Sequence, residues 1–376
     1  MSDYSTFSLG DFTLQSGSTI PKAFIAYKTY GSSSNPAILY PTWYTGLISD
    51  NEWLLGPDKA LDPNRYFIII TALFGNGQSI SPSNSPSSTT TKPSPFPHVT
   101  FYDNVRAQHT LLTSHLGITH LRMVTGWSMG AGQSFQWATQ YPDFMDIVVP
   151  FCGSARTSIH NQTMLEGVKS ALLAAKHTSS AGPAAERIEV EAHANANRDE
   201  NKDKDTDATP VRTWTDDERT AALKAFGRVY AGWGFSQAFY RERLHEKAYG
   251  AKDLEDFLQS FWETWGLSKD PENLLTMLWT WTNGDVSAQE PYNGNFEKAM
   301  AAIKAKTLVL PSKTDLYFPP EDSEYEVANM SPGVGTLEVY PSIWGHWAGG
   351  PPGNQDDAKW LDERLAKLLD EAPRLG

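Results

Sequence analysis

Short apolar runs that are rich in β-branched residues recur in the first and last thirds of the chain. These runs cover residues 37–40, 66–71, 121–125, 146–151, 307–310 and 336–340. Several of them are almost continuously apolar, which is typical of strands buried on both faces of a parallel sheet. The pattern therefore predicts a central, mostly parallel β-sheet.

Segments with helical periodicity lie between or after these strands. Residues 103–116, 128–141 and 356–371 have spacing or composition suited to helices, and Asp103 is the predicted N-cap of the first. Strands that alternate with helices indicate an α/β fold. The chain is long enough for one large domain or two small ones.

The middle of the chain breaks this alternation. From residue 156 to residue 304, strand signals are scarce and helical signals are abundant, and the sheet pattern resumes afterwards. We predict one core domain built from residues 1–155 and 305–376, with residues 156–304 inserted as a mostly helical lid. Within the lid, residues 186–207 hold eight acids and four bases, which is typical of a mobile, solvated excursion.

The charge and cysteine content narrow the functional class. The net charge of −13 argues against nucleic-acid and acidic-membrane partners, because both require a basic face. Cys152 is the only cysteine, so an intramolecular disulfide is excluded. The sequence has neither the pattern of a signal peptide nor an apolar run of about 18 residues. We therefore expect a cytoplasmic protein with no membrane association.

The sequence Gly126-Trp127-Ser128-Met129-Gly130 matches the G-x-S-x-G motif of a nucleophile elbow. A predicted strand precedes it and a predicted helix follows it, which is the context that this motif requires. Glycines stand two positions before and two positions after the serine, because strand and helix backbones approach closely at the turn. We predict that Ser128 is a catalytic nucleophile.

A serine nucleophile needs a base and an acid that orients the base. His346 follows the last predicted strand and precedes the final helix, where this architecture places its base. Asp315 follows the preceding strand and is the predicted acid. Four other histidines also follow Ser128. His177, His193 and His245 are predicted to lie at the surface, and the role of His160 stays open.

The oxyanion hole requires two backbone N–H donors. The residue after the nucleophile, Met129, supplies one, and Tyr44 in the loop after the first predicted strand is the candidate for the other. The segment Gly75-Asn76-Gly77 lacks the lysine and helix of a phosphate-binding loop. No spacing of histidine, cysteine or acids resembles a metal site, so we predict neither a metal nor a cofactor.

Several short motifs together resemble the homoserine O-acetyltransferase-like branch of the α/β-hydrolase superfamily. They are Lys59–Pro63, Arg65–Phe67, Asp103–Val105, Gly126–Gly130, Thr314–Pro320 and Gly345–His346. The resemblance extends over about residues 10–370. It implies an α/β-hydrolase fold with a helical lid, a triad of Ser128, Asp315 and His346, an acyl-serine intermediate, and a homodimer formed through the lid.

Departures from that branch bear on the substrate. Homoserine acetyltransferases carry glycine where this chain has Trp127, and they have a different residue at the start of Tyr44-Thr45-Gly46. Aromatic residues near the site favour a bulky or aromatic acyl group. The candidate residues for binding a small-molecule substrate are Trp43, Trp127, Trp344, Trp347 and Arg156. Arg156 is equally suited to pairing with a charge at the surface.

Three functions remain open from the sequence. The first is a serine hydrolase of an ester, thioester or lactone. The second is an acyltransferase that passes an acyl group from acyl-CoA to an alcohol or amine. The third is a catalytically silent scaffold that binds a small molecule. The complete triad in the expected order favours the first two.

Overall fold

One eight-stranded sheet forms the centre of the computed structural model, which describes residues 3–85, 95–176, 213–350 and 353–373. Its strands lie in the order β1-β2-β4-β3-β5-β6-β7-β8. They are β1 (Ser5–Thr13), β2 (Thr19–Tyr30), β3 (Ala37–Pro41), β4 (Phe67–Thr71), β5 (Leu121–Trp127), β6 (Met145–Phe151), β7 (Lys306–Val309) and β8 (Gly335–Leu337). The pairs β1–β2 and β2–β4 are antiparallel and all others are parallel. The predicted mostly parallel sheet is confirmed.

Helices make up most of the other described elements. They are α1 (Phe101–Thr110), α2 (Met129–Gln140), α3 (Ile159–Lys176), α4 (Asp216–Gly234), α5 (Gln237–Arg241), α6 (Leu244–Lys247), α7 (Leu254–Phe257), α8 (Thr264–Leu267), α9 (Pro271–Thr282), α10 (Phe296–Ala301), α11 (Pro320–Ala328) and α12 (Gln355–Glu371). Leu111–His115 and Leu258–Glu263 are π-helical, and Ile48–Leu54 and Gly345–Gly349 form 3₁₀ turns. In the described part of the chain, no helix is long and apolar enough to span a bilayer.

The described elements between β6 and β7 are all helical, which agrees with the predicted lid. The boundaries at residues 156 and 304 stay a prediction, and α10 packs with sheet residues through Phe296, Ala299 and Met300. The predicted mobile excursion at 186–207 lies outside the described residues, as do His177 and His193.

The strands bury both of their faces. Alternate residues point to opposite sides of a strand. In β3, Ile38 packs in the cluster that contains the final helix, whereas Leu39 packs in the cluster that contains α1 and α2. Continuous apolar strands are therefore expected here, because helices cover the sheet on both sides.

The hairpin of β1 and β2 was not predicted from the sequence. β1 is mostly exposed and interrupted by two register shifts around Gly10, so its hydrophobic pattern is weak.

The start of α1 also differs from the prediction. Thr100 is its N-cap and accepts from the Asp103 N–H, while the Asp103 side chain accepts from the Thr100 N–H. Asp103 is thus the third residue of a capping box.

The parallel strands bring four loops to one edge of the sheet. β3 leads into residues 42–46 and β5 leads directly into Ser128, while the chain beyond β7 and β8 carries Asp315 and His346. An isolated parallel bridge between Ser312 and Tyr340 continues the pairing of the last two strands toward the site. This is the edge where open α/β sheets bind their ligands.

Candidate active site

Ser128 occupies a strained turn between β5 and α2. Its backbone has φ 58° and ψ −122°, a conformation that side-chain-bearing residues rarely adopt. A methyl group at Gly126 would lie 2.3 Å from the backbone of Gly130, and one at Gly153 would lie 2.4 Å from the Ser128 carbonyl oxygen. Glycine is therefore required around the turn, as the predicted nucleophile elbow demands.

Asp315 and His346 form a buried hydrogen-bonded pair. The Asp315 Oδ2 atom lies 2.8 Å from His346 Nδ1, and both side chains are almost fully buried. The other carboxylate oxygen, Oδ1, accepts from the backbone N–H groups of Tyr317 and Phe318, at 2.7 and 3.2 Å. These bonds fix the carboxylate, which in turn fixes the imidazole ring and leaves Nε2 as its free nitrogen.

Aromatic rings hold His346 from two sides. The Trp127 ring stacks on the imidazole with centroids 4.8 Å apart, and the Trp127 indole N–H donates to the His346 carbonyl at 3.2 Å. The Tyr317 ring meets the imidazole nearly edge-on at 4.6 Å. The histidine ring is therefore positioned by packing as well as by Asp315.

The loop after β3 is tied to the helix that begins after Ser128. The Gln133 side-chain amide donates to the carbonyl oxygens of Thr42 and Met129, at 2.8 and 3.3 Å. Among the described residues, the N–H groups of Tyr44 and Met129 have no acceptor. Two free donors beside a nucleophile are what an oxyanion hole requires, and the assignment of these two stays a prediction.

Ser128 and His346 line one cavity of about 360 Å³. Four of the residues predicted for substrate or oxyanion binding also line it: Trp43, Tyr44, Trp127 and Trp347. The remaining lining residues were not among the predicted site residues: Thr45, Leu47, Asp50, Tyr230, Phe261, Trp265, Ser268 and Lys269. The cavity is thus largely aromatic, with a polar side formed by Asp50, Ser268 and Lys269.

Two predicted substrate-binding residues do not line this cavity. Trp344 is buried and packs against Phe239, with ring centroids 5.2 Å apart. Arg156 is exposed, and its guanidinium lies over the Phe296 ring at 4.3 Å. The structure therefore places Trp344 in the packing beneath the site and Arg156 at the surface.

The lid contributes groups that hold the site together. The Asn161 side-chain amide donates to the Tyr317 carbonyl at 2.7 Å, and so supports the loop that carries Asp315.

Burial raises the pKa of both Tyr230 and Tyr317 well above the usual value, so both phenols stay protonated. His245 was predicted at the surface but is buried against Phe257.

Comparison with known proteins identifies the family. Residues 44–349 match the alpha/beta hydrolase fold family. The chain belongs to the α/β-hydrolases. This α/β-hydrolase is 34% identical over 329 residues to an ethyl acetate hydrolase from Pseudomonas veronii, covering 85% of this chain and 82% of the relative. The crystal structure of an acetylester hydrolase from Corynebacterium glutamicum superposes with a TM-score of 0.82 at 30% identity, covering 98% and 96% of the two chains.

The predicted branch of the superfamily is also confirmed. This α/β-hydrolase is 26% identical over 343 residues to a homoserine O-acetyltransferase from Trichormus variabilis, covering 89% of this chain and 86% of the relative. Its relatives thus include both esterases and acyltransferases, and the protein is an enzyme of this family.

Proposed function

We propose that this α/β-hydrolase cleaves carboxylic esters through an acyl-serine intermediate formed on Ser128, with water as the final acyl acceptor. The observation that carries the proposal is the buried Asp315–His346 pair, at 2.8 Å, in the cavity that also contains Ser128. The similarity to proteins named as ester hydrolases supports the same reaction.

The first half-reaction transfers the acyl group to the serine. His346 Nε2 accepts the hydroxyl proton of Ser128 as the oxygen attacks the ester carbonyl. The N–H groups of Met129 and Tyr44 donate to the resulting oxyanion. Collapse of the tetrahedral intermediate breaks the bond to the alcohol oxygen, which takes the proton from His346. In the second half-reaction His346 activates water, which releases the acid and restores Ser128.

The aromatic walls of the cavity favour a bulky or aromatic acyl group as the finer substrate class. A volume of about 360 Å³ is larger than an acetyl group needs, and Trp43, Trp265 and Phe261 present apolar surface to it. The names of the relatives favour acetyl esters instead. A series of para-nitrophenyl esters from acetate to benzoate and octanoate distinguishes bulky acyl groups from acetyl groups. If the cavity binds the acyl group, kcat/KM should be highest for the larger acyl groups.

The decisive experiment follows the acyl-enzyme by intact mass after reaction with para-nitrophenyl butyrate. We expect an adduct on the wild-type chain that decays in buffer alone, at a rate unchanged by homoserine or other small alcohols. The Ser128→Ala variant should form no adduct. An adduct that persists in buffer and collapses only when an alcohol or amine is added would instead establish an acyltransferase.

A catalytically silent scaffold makes a different prediction. A fluorophosphonate probe labels a serine only when a base activates it. We expect stoichiometric labelling of the wild-type chain and none of Ser128→Ala. An unlabelled wild-type protein that still binds small esters would show that the cavity serves binding alone.

A further inference from the structure

Lys269 lies at the border of two cavities. It lines the cavity that holds Ser128 and also a second cavity of about 300 Å³. Thr45, Leu47 and Ser268 line both cavities as well, so the two spaces share a wall. Lys269 therefore borders both the space beside Ser128 and the second space.

The ammonium group of Lys269 is short of partners. Its Nζ atom donates to the Thr45 carbonyl at 3.2 Å, and within the described part of the chain this is its one hydrogen-bond acceptor. An ammonium carries three N–H donors. The ring of Trp265 lies 5.8 Å away, and the carboxylate of Asp50 favours the charge without forming an ion pair among the described contacts. Burial lowers the pKa of Lys269, because the surrounding protein replaces part of the water that would solvate its charge.

The second cavity has both polar and apolar lining residues, and its lining carries a net positive charge. Its charged lining residues are Lys269, Arg219 and Asp270. Arg219 already has partners within the protein, because it pairs with Asp270 at 2.8 Å and also donates to the Lys269 carbonyl. Among the described lining residues, Lys269 is thus the cation of this cavity that has no carboxylate within ion-pair distance. The neutral side chains around it, such as Asn76 and Gln78, add hydrogen-bonding capacity.

From this arrangement we infer a second subsite, in which Lys269 binds a carboxylate on the part of the substrate remote from the scissile ester. The inference rests on the proposed ester hydrolysis at Ser128 and names its substrate class as carboxylate-bearing esters. A carboxylate offers acceptors for the free Nζ–H donors and replaces the solvation that the half-buried ammonium lacks. The aromatic cavity then holds the apolar segment between the ester and the charge.

The carboxylate can belong to the acid or to the alcohol of the ester, and two pairs of probes distinguish these sources. The acyl pair is the mono-para-nitrophenyl ester of adipic acid and the same ester with a terminal amide in place of the carboxylate. The alcohol pair is para-acetoxyphenylacetate and para-acetoxyphenylacetamide. Within each pair the two probes match in size and differ in charge.

The wild-type enzyme should favour the carboxylate member of one pair by about 10- to 100-fold in kcat/KM. Lys269→Met, which keeps an unbranched side chain one atom shorter and removes the charge, should abolish this preference, and Lys269→Arg should retain it. Lys252→Met removes an exposed lysine outside both cavities and should leave the preference at the wild-type value. Melting temperatures check that each variant is folded.

Binding to the Ser128→Ala variant tests the subsite without turnover. Calorimetry should show tighter binding of the carboxylate probe than of its amide by a similar factor, and the added Lys269→Met change should remove the difference. Equal affinities within both pairs, or a preference that survives Lys269→Met, would overturn the subsite even if ester hydrolysis is established. A charge preference in binding with no turnover by the wild-type enzyme would overturn ester hydrolysis and leave the subsite standing.

Discussion

Trp127 contacts His346 twice, through a stacked ring pair with planes 23° apart and through a hydrogen bond from its indole N–H to the histidine carbonyl. Trp127, which directly precedes the proposed nucleophile, thus positions the proposed base in the same cavity. Ser128 and His346 are separated by more than two hundred positions in the chain, and Trp127 connects the two loops that carry them.

Replacing Trp127 should lower kcat by more than a loss of folded protein would explain. Trp127→Phe keeps an aromatic ring but loses the hydrogen bond, and we expect kcat to fall about 10-fold because the imidazole is less well oriented. Trp137→Phe is the matched control, since the Trp137 indole also donates one buried hydrogen bond, to Gln108, but lies away from the cavity. Steady-state kinetics with an aryl ester should show a lower kcat for the first variant alone. Equal kcat values for the two variants would refute the positioning role.

The backbone bonds to Asp315 make its substitution informative. Asp315→Asn should lower kcat by about 10⁴-fold, because an amide at this position favours the wrong tautomer of His346. The fold should persist, since the remaining amide oxygen still accepts from the Tyr317 and Phe318 N–H groups. Glu321→Gln, at an exposed acid nearby, should keep the wild-type rate. A near-normal rate for Asp315→Asn would assign the acid to another residue.

Glu326 should make the stability of the protein depend on pH. Its carboxyl group is buried, and one oxygen accepts from the Ala155 N–H at 2.6 Å while the other has no partner among the described residues. Burial raises its pKa from about 4.5 to about 8. Between these values the folded protein retains a proton that the unfolded chain releases, so the free energy of unfolding falls as the pH rises.

Glu326→Gln should remove this dependence. The amide oxygen can still accept from Ala155, and no carboxyl group remains to ionise. We expect the variant to lose a slope of up to about 1.4 kcal/mol per pH unit between about pH 5 and 8. Urea unfolding across that range measures the slope, with the exposed Glu324→Gln on the same helix as control. Parallel curves for wild type and Glu326→Gln would show that Glu326 is ionised in the folded state.

Two glycines of this chain should respond to alanine in opposite ways. Gly126→Ala places a methyl group 2.3 Å from the backbone of Gly130, so the elbow must distort and stability should fall by more than about 3 kcal/mol. Gly167 lies exposed within α3 with no atom in the path of a new methyl group, and Gly167→Ala should stabilise by about 0.5–1 kcal/mol. Thermal unfolding compares them. A Gly126→Ala variant as stable as the wild type would show that the elbow is not tightly packed.

The positions of the candidate triad residues in the fold were predictable, because a nucleophile elbow and the ends of buried strands have recognisable local sequence patterns. The turn at Ser128 needs glycines, and the positions of Asp315 and His346 follow from the ends of strongly apolar strands. The identity of the cavity walls was less accessible. Trp344 and Trp347 lie three positions apart in one loop, but only Trp347 faces the cavity, because the 3₁₀ turn that starts at Gly345 directs their rings differently.

The lid residues that line the cavity were the hardest to predict from the sequence. Tyr230, Phe261 and Trp265 line the cavity with Ser128 but were not among the predicted site residues, since helix periodicity identifies a buried side but not the cavity that it borders. Lys269 stands in the polar sequence Ser268-Lys269-Asp270, which suggests a solvated turn. Its half-buried position depends on contacts with Thr45, more than two hundred residues away in the chain.

The outer strands of the sheet have a consequence for how copies of the protein meet. Unpaired N–H and C=O groups along a straight edge strand can recruit a strand from another molecule. At one end, β1 is broken by register shifts around Gly10, which interrupt the row of free backbone groups. At the other end, β8 has only three residues. Neither end offers a long, regular template, so the fold opposes open-ended stacking of sheets in concentrated solution.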